Sequence, residues 1–378
     1  MRTIVVTDSM IWNAETEYAL AVAATEAAMG FDVTVAAPHG SVALERAAEG
    51  VRAEALPGAN LSSSPADLLA VCRRLATLAR GDGGIIIHSS RSSAHVAAAL
   101  ARGPTAKLVH LRGGATPPKA GGLNRMLYRC RTDAVIASSE RIASWVRSRL
   151  AMPDERVFRL HLPVDGARFS SQVFASSGRG LRRDLAIDAG ARLVVNVARL
   201  APVKGHDVLL EAWAGVAGKH PDAVLVLVGE AWSGQPEGLA LQAEELGISA
   251  RVRFAGRRED VPSVLDEADV CVCSSVGSEE NSRAVSEYMA AGRPVVATRV
   301  GVIPELVVDA ETGHLVAPSN ATALAEALDW MLAHPDRATA MGRLGRERAA
   351  GLFSRDAFAA SLSRVLTSIG IACGGVSS

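Results

Sequence analysis

Residues 274–307 read SSVGSEENSRAVSEYMAAGRPVVATRVGVIPELV and carry two carboxylates, Glu279 and Glu287, around the start of a helix. The pattern predicts a helix from about Ser282 to Ala291, because Gly292 follows as a helix stop. Glu279 is then expected before the helix and Glu287 about a turn and a half inside it. The free N–H groups of such a helix start favour phosphate, and the carboxylates can bind sugar hydroxyls. This combination predicts a site for a nucleotide-sugar.

Composition limits the class of protein. The chain has 378 residues with 49 % hydrophobic content, which is enough for two domains with separate cores. Forty basic and forty acidic residues cancel, and only 4 % are aromatic, so a nucleic-acid-binding protein is not expected. The five cysteines lack metal-ligand spacing, and no metal is expected. The chain opens directly on a strand and has no membrane-spanning apolar run, which predicts a cytoplasmic protein.

Strand-like and helix-like segments alternate along the chain. Buried apolar runs such as RTIVVTD (2–8) and GGIIIHSS (83–90) are separated by helical patterns, which indicates a doubly wound α/β architecture. A stretch rich in Gly and Ser over 165–180 interrupts the alternation, and a second series starts after it. The sequence predicts two Rossmann-like domains that face a central cleft, where the carboxyl ends of their strands bind ligands. The predicted bounds are 1–168, 181–352, and a C-terminal helix over 353–378 that packs back toward the first domain.

The second predicted domain carries further polar features at strand ends. Arg199 and Lys204 lie on a loop after a strand and suit a diphosphate, although surface loops often carry such residues. Gly229 ends the next strand, where either a ligand approaches the backbone or the chain simply turns. The loop after a third strand contains Arg257, Arg258 and Glu259 and is expected to hold a nucleotide base, mostly through backbone atoms.

Four segments in this order resemble the retaining glycosyltransferases of family 4, which have the GT-B fold: VARLAPVKG (197–205), VLVGE (226–230), FAGRREDVPSVLDEADVCVCSS (254–275) and the stretch quoted first. The resemblance implies that Arg199 and Lys204 bind the donor diphosphate. It also implies that Glu287 holds the ribose and that Glu279 lies beside the transferred sugar. The helix start and the residues before it complete the expected donor site: Glu280, Asn281, Ser282, Arg283 and Ala284.

The first domain is expected to bind the acceptor. His110 ends a predicted strand, and the resemblance implies that it touches the donor sugar; a structural histidine is the alternative. The other acceptor-side candidates are Asn13, His88, Arg91 and Arg112. A basic run that continues through Lys119, Arg125, Arg129 and Arg131 suits an anionic acceptor or an acidic membrane surface, or is a solvated face.

The sequence departs from the family at two places. Asn13 and Ala14 stand where many members have a glycine pair, and Asn13 is expected to cap a helix that begins near Ala14. Glu280 to Ser282 replace a Gly-Phe-Gly segment, so the donor is left open. The resemblance implies metal-independent, retaining transfer of a hexose-like sugar from a nucleoside diphosphate to a glycan or glycolipid of the bacterial envelope, such as lipopolysaccharide or capsule. An epimerase or a non-catalytic binding protein of the same fold is the alternative. A dehydrogenase is disfavoured, because no G-x-G-x-x-G follows the first strand.

Overall fold

The computed structural model describes residues 1–11, 13–57, 64–80, 84–169, 180–230, 235–277 and 279–372. The chain forms two compact units. The first unit consists of Met1–Pro163 together with the C-terminal segment Arg355–Ser378, and the second unit consists of Val164–Ser354. The predicted linker over 165–180 lies largely outside the described residues. Within the described parts of the chain, no helix combines the length and the apolar character needed to cross a membrane.

The first unit contains a seven-stranded sheet in which all pairings are parallel, with the order β3-β2-β1-β4-β5-β6-β7. Its strands are β1 (Arg2–Val6), β2 (Asp32–Pro38), β3 (Arg52–Leu56), β4 (Ile85–Ser90), β5 (Lys107–Arg112), β6 (Ala134–Ala137) and β7 (Val157–Arg159). Its helices are α1 (Ala14–Ala28), α2 (Val42–Glu45), α3 (Pro65–Leu78), α4 (Ser92–Ala101), α5 (Gly122–Arg131) and α6 (Glu140–Leu150). Apolar side chains on both faces of the central strands bury against these helices, which is typical of parallel sheets.

The second unit contains a six-stranded parallel sheet with the order β10-β9-β8-β11-β12-β13. Its strands are β8 (Arg192–Val197), β9 (Ala223–Val228), β10 (Val252–Gly256), β11 (Val270–Cys273), β12 (Val295–Thr298) and β13 (His314–Val316). Its helices are α7 (Leu181–Asp184), α8 (His206–Ala217), α9 (Gln235–Glu245), α10 (Val261–Asp266), α11 (Arg283–Ala290), α12 (Ile303–Leu306), α13 (Ala321–Ala333) and α14 (Pro335–Phe353). The prediction of two doubly wound parallel sheets is confirmed.

The last helix, α15 (Arg355–Ser368), belongs to the core of the first unit. The ring of Phe358 meets Tyr18 of α1 edge to face, with centroids 5.9 Å apart. The hydroxyl of Tyr18 donates to the carbonyl oxygen of Leu160, 2.7 Å away. Buried leucines of α15 complete this face of the sheet, so the C-terminal segment contributes to the folding of the first unit.

Two edge strands, β3 and β13, were absent from the sequence prediction. β3 reads RAEAL and is largely exposed, and β13 is three residues long. Both obtain their strand conformation by pairing with a neighbour, β2 or β12, rather than from an apolar pattern of their own.

The strand order reverses at one point in each sheet, between β1 and β4 in the first and between β8 and β11 in the second. The connections leaving two such strands turn in opposite directions, which opens a crevice beyond their carboxyl ends. Ligands of open α/β folds bind at these points. The sequence-predicted polar residues gather at both of them.

Candidate donor and acceptor sites

Glu279 and Lys204 meet at the reversal point of the second sheet. Lys204 follows β8 and Glu279 follows β11, and the ammonium group pairs with Oε1 of Glu279. The side chains are only 19 % and 8 % exposed, so the pair is shielded from water. Ser275 Oγ donates to the same carboxylate oxygen at 2.6 Å. The sequence prediction missed Ser275, whose only signal was its position just after a buried strand.

Close backbone packing brings Lys204 to this position. Ser274 Oγ donates to the carbonyl oxygen of Lys204 at 2.9 Å, and Val276 N–H donates to Val203. Gly205 has φ +63°, and a Cβ there would lie 2.3 Å from the Ser274 carbonyl oxygen. This glycine therefore allows one protein loop to approach another.

The segment after β12 holds the backbone of Glu279 from the other side. Val302 N–H donates to the carbonyl oxygen of Glu279 at 2.8 Å. A Cβ on Gly301, whose φ is +55°, would lie 2.1 Å from that oxygen. The GVIPELV segment thus fixes the main chain of Glu279 while its side chain faces Lys204.

Helix α11 presents its N-terminus next to Glu279. Its N-cap, Ser282, has φ +32° and makes no side-chain capping bond, so the first N–H groups, those of Arg283 and Ala284, are not capped by it. Within the described residues, the buried Ser282 Oγ has no hydrogen-bond partner. The N–H groups of a helix start, together with a nearby hydroxyl, form a site that suits an anion.

Glu287 lies in the second turn of α11, with its side chain 10 % exposed. Nε of Arg283 donates to its Oε1 at 2.9 Å. The next residue, Tyr288, is fully buried and accepts a hydrogen bond from Val197 N–H at 2.7 Å, which ties α11 to the end of β8. Of the two residues between Glu279 and Ser282, Glu280 is buried and Asn281 half-buried.

Arg199 is exposed on the same loop as Lys204. Gly229, in contrast, is explained by packing, because a Cβ there would lie 1.8 Å from the carbonyl oxygen of Ala198. The close approach predicted for a ligand at this glycine is occupied by the protein's own backbone. Packing therefore explains the glycine at position 229, just after β9, and a ligand contact there stays a prediction.

The side chain of Arg258 anchors the loop that is predicted to hold the base. Its guanidinium donates to both carboxylate oxygens of Asp260, at 2.8 and 2.6 Å, and to Asp184 at 3.0 Å. These hydrogen bonds raise the pKa of Arg258 above its usual value and attach the loop to α7. The side chain is therefore not available to a nucleotide base. Arg257 and Glu259 remain exposed, with their charged groups 3.8 Å apart.

A buried histidine supports the loop that carries Lys204. Burial lowers the pKa of His206 to about 4, and its Nε2 lies 3.1 Å from Asn196 Oδ1. Asn196 donates through Nδ2 to the carbonyl oxygen of Val272, so its Oδ1 accepts from a neutral His206.

This histidine makes stability depend on pH. Its folded pKa is below the usual 6.5, so the unfolded chain takes up the proton first as the pH falls. The free energy of unfolding should therefore decrease between pH 6.5 and about 4, by up to about 1.4 kcal/mol per pH unit from this group. Urea unfolding at several pH values should show a shallower dependence for His206→Gln than for the wild type. Equal dependence would contradict this assignment.

At the reversal point of the first sheet, Arg91 lies between two carboxylates. Its Nε is 3.3 Å from Asp8 Oδ1 and 3.5 Å from Glu15 Oε2. Asn13, half-buried, caps α1 by accepting from Thr16 N–H at 2.9 Å, as the sequence predicted. The sequence prediction missed Asp8 and Glu15, because neither belongs to a recognisable motif.

The two candidate histidines of the first unit, His88 and His110, are both fully buried. His88 Nε2 lies 2.7 Å from Glu26 Oε1 inside the core, and neither side chain is exposed. The predicted acceptor contact of His88 is therefore wrong, because no ligand reaches it. His110 packs against His95, with ring centroids 4.2 Å apart, and also lines a surface cavity.

Much of the basic run in the first unit binds backbone carbonyl groups. Arg112 donates to Thr116, Arg125 to Arg149, and Arg131 to Ala99 and Arg102. These guanidinium groups stabilise a loop and the ends of helices. Lys119 and Arg129 are exposed.

Two family models match the chain, one in each unit. The model described as glycosyl transferases group 1 matches residues 179–348, and that of glycosyltransferase family 4 matches residues 16–168. The chain belongs to the family 4 glycosyltransferases, with the GT-B fold.

Individual proteins agree with this assignment. The D-inositol 3-phosphate glycosyltransferase of Corynebacterium urealyticum is 38 % identical over 176 residues, 45 % of this chain and 41 % of that protein. The GDP-mannose-dependent alpha-(1-6)-phosphatidylinositol monomannoside mannosyltransferase of Mycolicibacterium smegmatis is 33 % identical, over 58 % of this chain and 59 % of that protein. The chain thus spans 41 to 59 % of the length of these curated relatives. The crystal structure of Anabaena HepE in complex with UDP has a TM-score of 0.80 at 21 % identity, over 97 % of this chain and 100 % of HepE, which shows the fold alone.

Proposed function

We propose that this chain transfers a sugar from a nucleoside diphosphate to an acceptor hydroxyl. The observation that carries the proposal is the shielded contact of Lys204 with Glu279 beside the N-terminus of α11. Such a site offers positive groups to a diphosphate and a carboxylate to the adjoining sugar. Preorganised charge of this kind stabilises a departing diphosphate more than water does.

Each donor-site residue has a defined part in this proposal. Arg199, Lys204 and the first N–H groups of α11 receive the charge of the leaving diphosphate. Ser282 Oγ adds a hydroxyl donor, and Glu287 accepts from the ribose hydroxyls. Glu279 orients the transferred sugar through the oxygen that does not contact Lys204. Protein cations in these positions take the role of a metal ion, and the configuration at the anomeric carbon is retained.

The donor class is supported by relatives of differing specificity. The name of the Mycolicibacterium smegmatis relative states GDP-mannose dependence, whereas HepE has been crystallised with UDP. GDP-mannose and UDP both contain a nucleoside diphosphate, which is the part of the donor that the predicted site would bind through Lys204 and α11. We leave the base and the sugar open, since the Glu280–Ser282 segment differs from the Gly-Phe-Gly segment that the family resemblance implies.

A panel of nucleotide-sugars tests the proposal. Donor hydrolysis or transfer, with and without a metal chelator, should occur for at least one donor, and product NMR should show retained configuration. The double variant R199A/K204A should lose donor binding. A protein that binds donors without turnover is a non-catalytic binding protein, and one that converts the donor sugar in place is an epimerase.

We further propose that α5 lets the protein dock on an anionic membrane that carries its glycan or glycolipid acceptor. Leu123 and Met126, one helical turn apart, are 76 % and 56 % exposed, with the basic groups of Lys119 and Arg129 nearby in the sequence. An apolar pair bordered by cations matches the surface of an acidic bilayer.

Vesicle sedimentation checks this surface. The double variant L123D/M126D should bind phosphatidylglycerol vesicles about 10-fold more weakly, because it loses apolar contact and gains repulsion. Leu69→Asp, at another exposed leucine of the first unit, is the matched control. If the double variant binds phosphatidylglycerol vesicles as well as the Leu69→Asp control does, α5 is not the docking surface. Equal binding of the wild type to uncharged phosphatidylcholine vesicles would likewise contradict docking on an anionic membrane.

A further inference from the structure

A cavity of about 330 Å³ lies at the carboxyl edge of the first sheet. It sits at the reversal point between β4 and β1, where the first turns of α1 and α4 begin. Its polar lining includes Glu15, Arg91, Ser93, His110 and Arg112. Its volume is at the lower end of the range that holds small ligands.

The charges around this cavity balance. Arg91 is flanked by the carboxylates of Asp8 and Glu15, and Ser93 Oγ donates to Asp8 Oδ2. Burial raises the pKa of Glu15, and the neighbouring Asp8 carboxylate contributes to the rise. Arg112 is the second cation near Glu15. Two carboxylates thus face two guanidinium groups, so the formal charges of these four side chains cancel.

Two buried acceptor atoms at this edge have unused hydrogen-bonding capacity, as does the buried donor Nε of Arg112, within the residues that the structure describes. In the part of the chain that the structure describes, neither Asp8 Oδ1 nor His110 Nε2 has a hydrogen-bond partner. Asp8 Oδ1 is paired with Arg91 by charge, without hydrogen-bond geometry. His110 Nδ1 lies 2.9 Å from the carbonyl oxygen of Ser89, so Nδ1 carries the proton and Nε2 can only accept. Asp8 Oδ1 and His110 Nε2 can therefore each accept a hydrogen bond from a ligand hydroxyl.

The backbone at Arg91 is strained. This residue has φ +71° and ψ 157°, a conformation that is essentially confined to glycine. Its carbonyl oxygen accepts the first helical hydrogen bond of α4, from His95 N–H at 3.1 Å. The strain places the guanidinium of Arg91 between the two carboxylates. Backbone strain of this kind is typical of residues in a binding site.

We infer that this cavity binds an uncharged, hydroxyl-rich ring of the acceptor and disfavours a phosphorylated one. The inference rests on the proposed function, because it names the class of acceptor. A ligand hydroxyl can donate to Glu15 or to Nε2 of His110, and it can accept from Arg91. A phosphate offers acceptors alone at pH 7 and would bring negative charge beside Asp8 and Glu15, whose cations are already paired.

Saturation-transfer NMR on the full chain tests the preference with matched ligands. The pairs are glucose and glucose 6-phosphate, mannose and mannose 6-phosphate, and inositol and inositol 3-phosphate. For at least one pair the neutral ring should bind about 10-fold more tightly, the size expected for one unfavourable charge contact. Equal or tighter binding of the phosphorylated members, or no binding of any neutral ring, overturns the inference. Binding of UDP or GDP alone, measured separately, reports on the proposed diphosphate site at Lys204 and α11, whose residues do not line this cavity.

Three variants locate the effect. Glu15→Gln should reduce the preference for neutral rings about 10-fold, whereas Glu49→Gln, at an exposed site of the same unit, should leave it unchanged. Gly114→Ala should weaken binding, because its Cβ would lie 2.9 Å from Glu15 Oε1 and displace that carboxylate. Arg91→Gly removes the guanidinium and relieves the backbone strain, so ring binding should fall about 10-fold without a lower melting temperature. If Glu15→Gln behaves like Glu49→Gln, the carboxylate does not set the preference.

Discussion

Replacement of Glu279 by Gln is expected to lower the turnover of a nucleotide-sugar about 100-fold or more. Glutamine has nearly the same shape and can still accept from Ser275. It removes the negative charge that faces Lys204, in a site where both side chains are mostly shielded from water. Losing one preorganised charge contact at a reacting centre usually costs about 3–4 kcal/mol of transition-state stabilisation. Steady-state kinetics with the donor identified from the panel measures the change.

The pattern of kinetic effects separates orientation from binding. Ser275→Ala should reduce kcat by about 10-fold, because it leaves the ion pair but frees the carboxylate to rotate. Lys204→Ala should raise KM as well, since it removes a cation from the diphosphate. Glu244→Gln, an exposed change in the same unit, is the matched control and should be silent. Wild-type kcat in Glu279→Gln would remove this residue from the mechanism.

Replacement of Glu26 by Ala is expected to destabilise the first unit by about 3 kcal/mol. Glu26 of α1 and His88 of β4 are both completely buried and lie 2.7 Å apart. Removal of one partner leaves the other polar group unpaired in the core, which costs about 3–5 kcal/mol when the pair is charged. Hydrogen exchange of the β4 amides should then become roughly 100-fold faster, since each 1.4 kcal/mol is a factor of ten.

A conservative change tests whether the hydrogen bond is the cause. Glu26→Gln keeps an acceptor for His88 and should cost about 1 kcal/mol, clearly less than the alanine variant. Glu49→Ala, at an exposed position, should leave β4 exchange unchanged. Equal effects of Glu26→Gln and Glu26→Ala would show that the negative charge, rather than the hydrogen bond, stabilises the core.

Local patterns predicted a large part of the architecture. Runs such as IIIHSS and RLVVNV are apolar enough to require burial on both faces, and helix signals such as Asn13 and Gly292 act within a few residues. Their alternation therefore indicated two parallel sheets. The edge strands β3 and β13 escaped prediction because pairing with a neighbour, a non-local contact, determines their conformation.

Side-chain roles were harder to predict, since a residue type does not reveal its partner. Arg258 looked like a ligand-binding residue until its bonds to Asp184 and Asp260 were visible. His88 sat at a strand end like a site residue, yet its partner Glu26 is 62 positions away in the chain. Gly229 suggested space for a ligand that the Ala198 carbonyl oxygen already fills.

The sequence by itself determined the succession of elements, the helix start between Glu279 and Glu287, and the resemblance to family 4. The first two depend on backbone propensity and on apolar periodicity, which act over a few residues, and the resemblance depends on four short motifs in order. Only the tertiary structure decided that Lys204 and Ser275 share one oxygen of Glu279, and that Arg91 lies strained between Asp8 and Glu15. Strand order creates these contacts, because it joins the ends of β8 and β11, and of β1 and β4, which lie far apart along the chain.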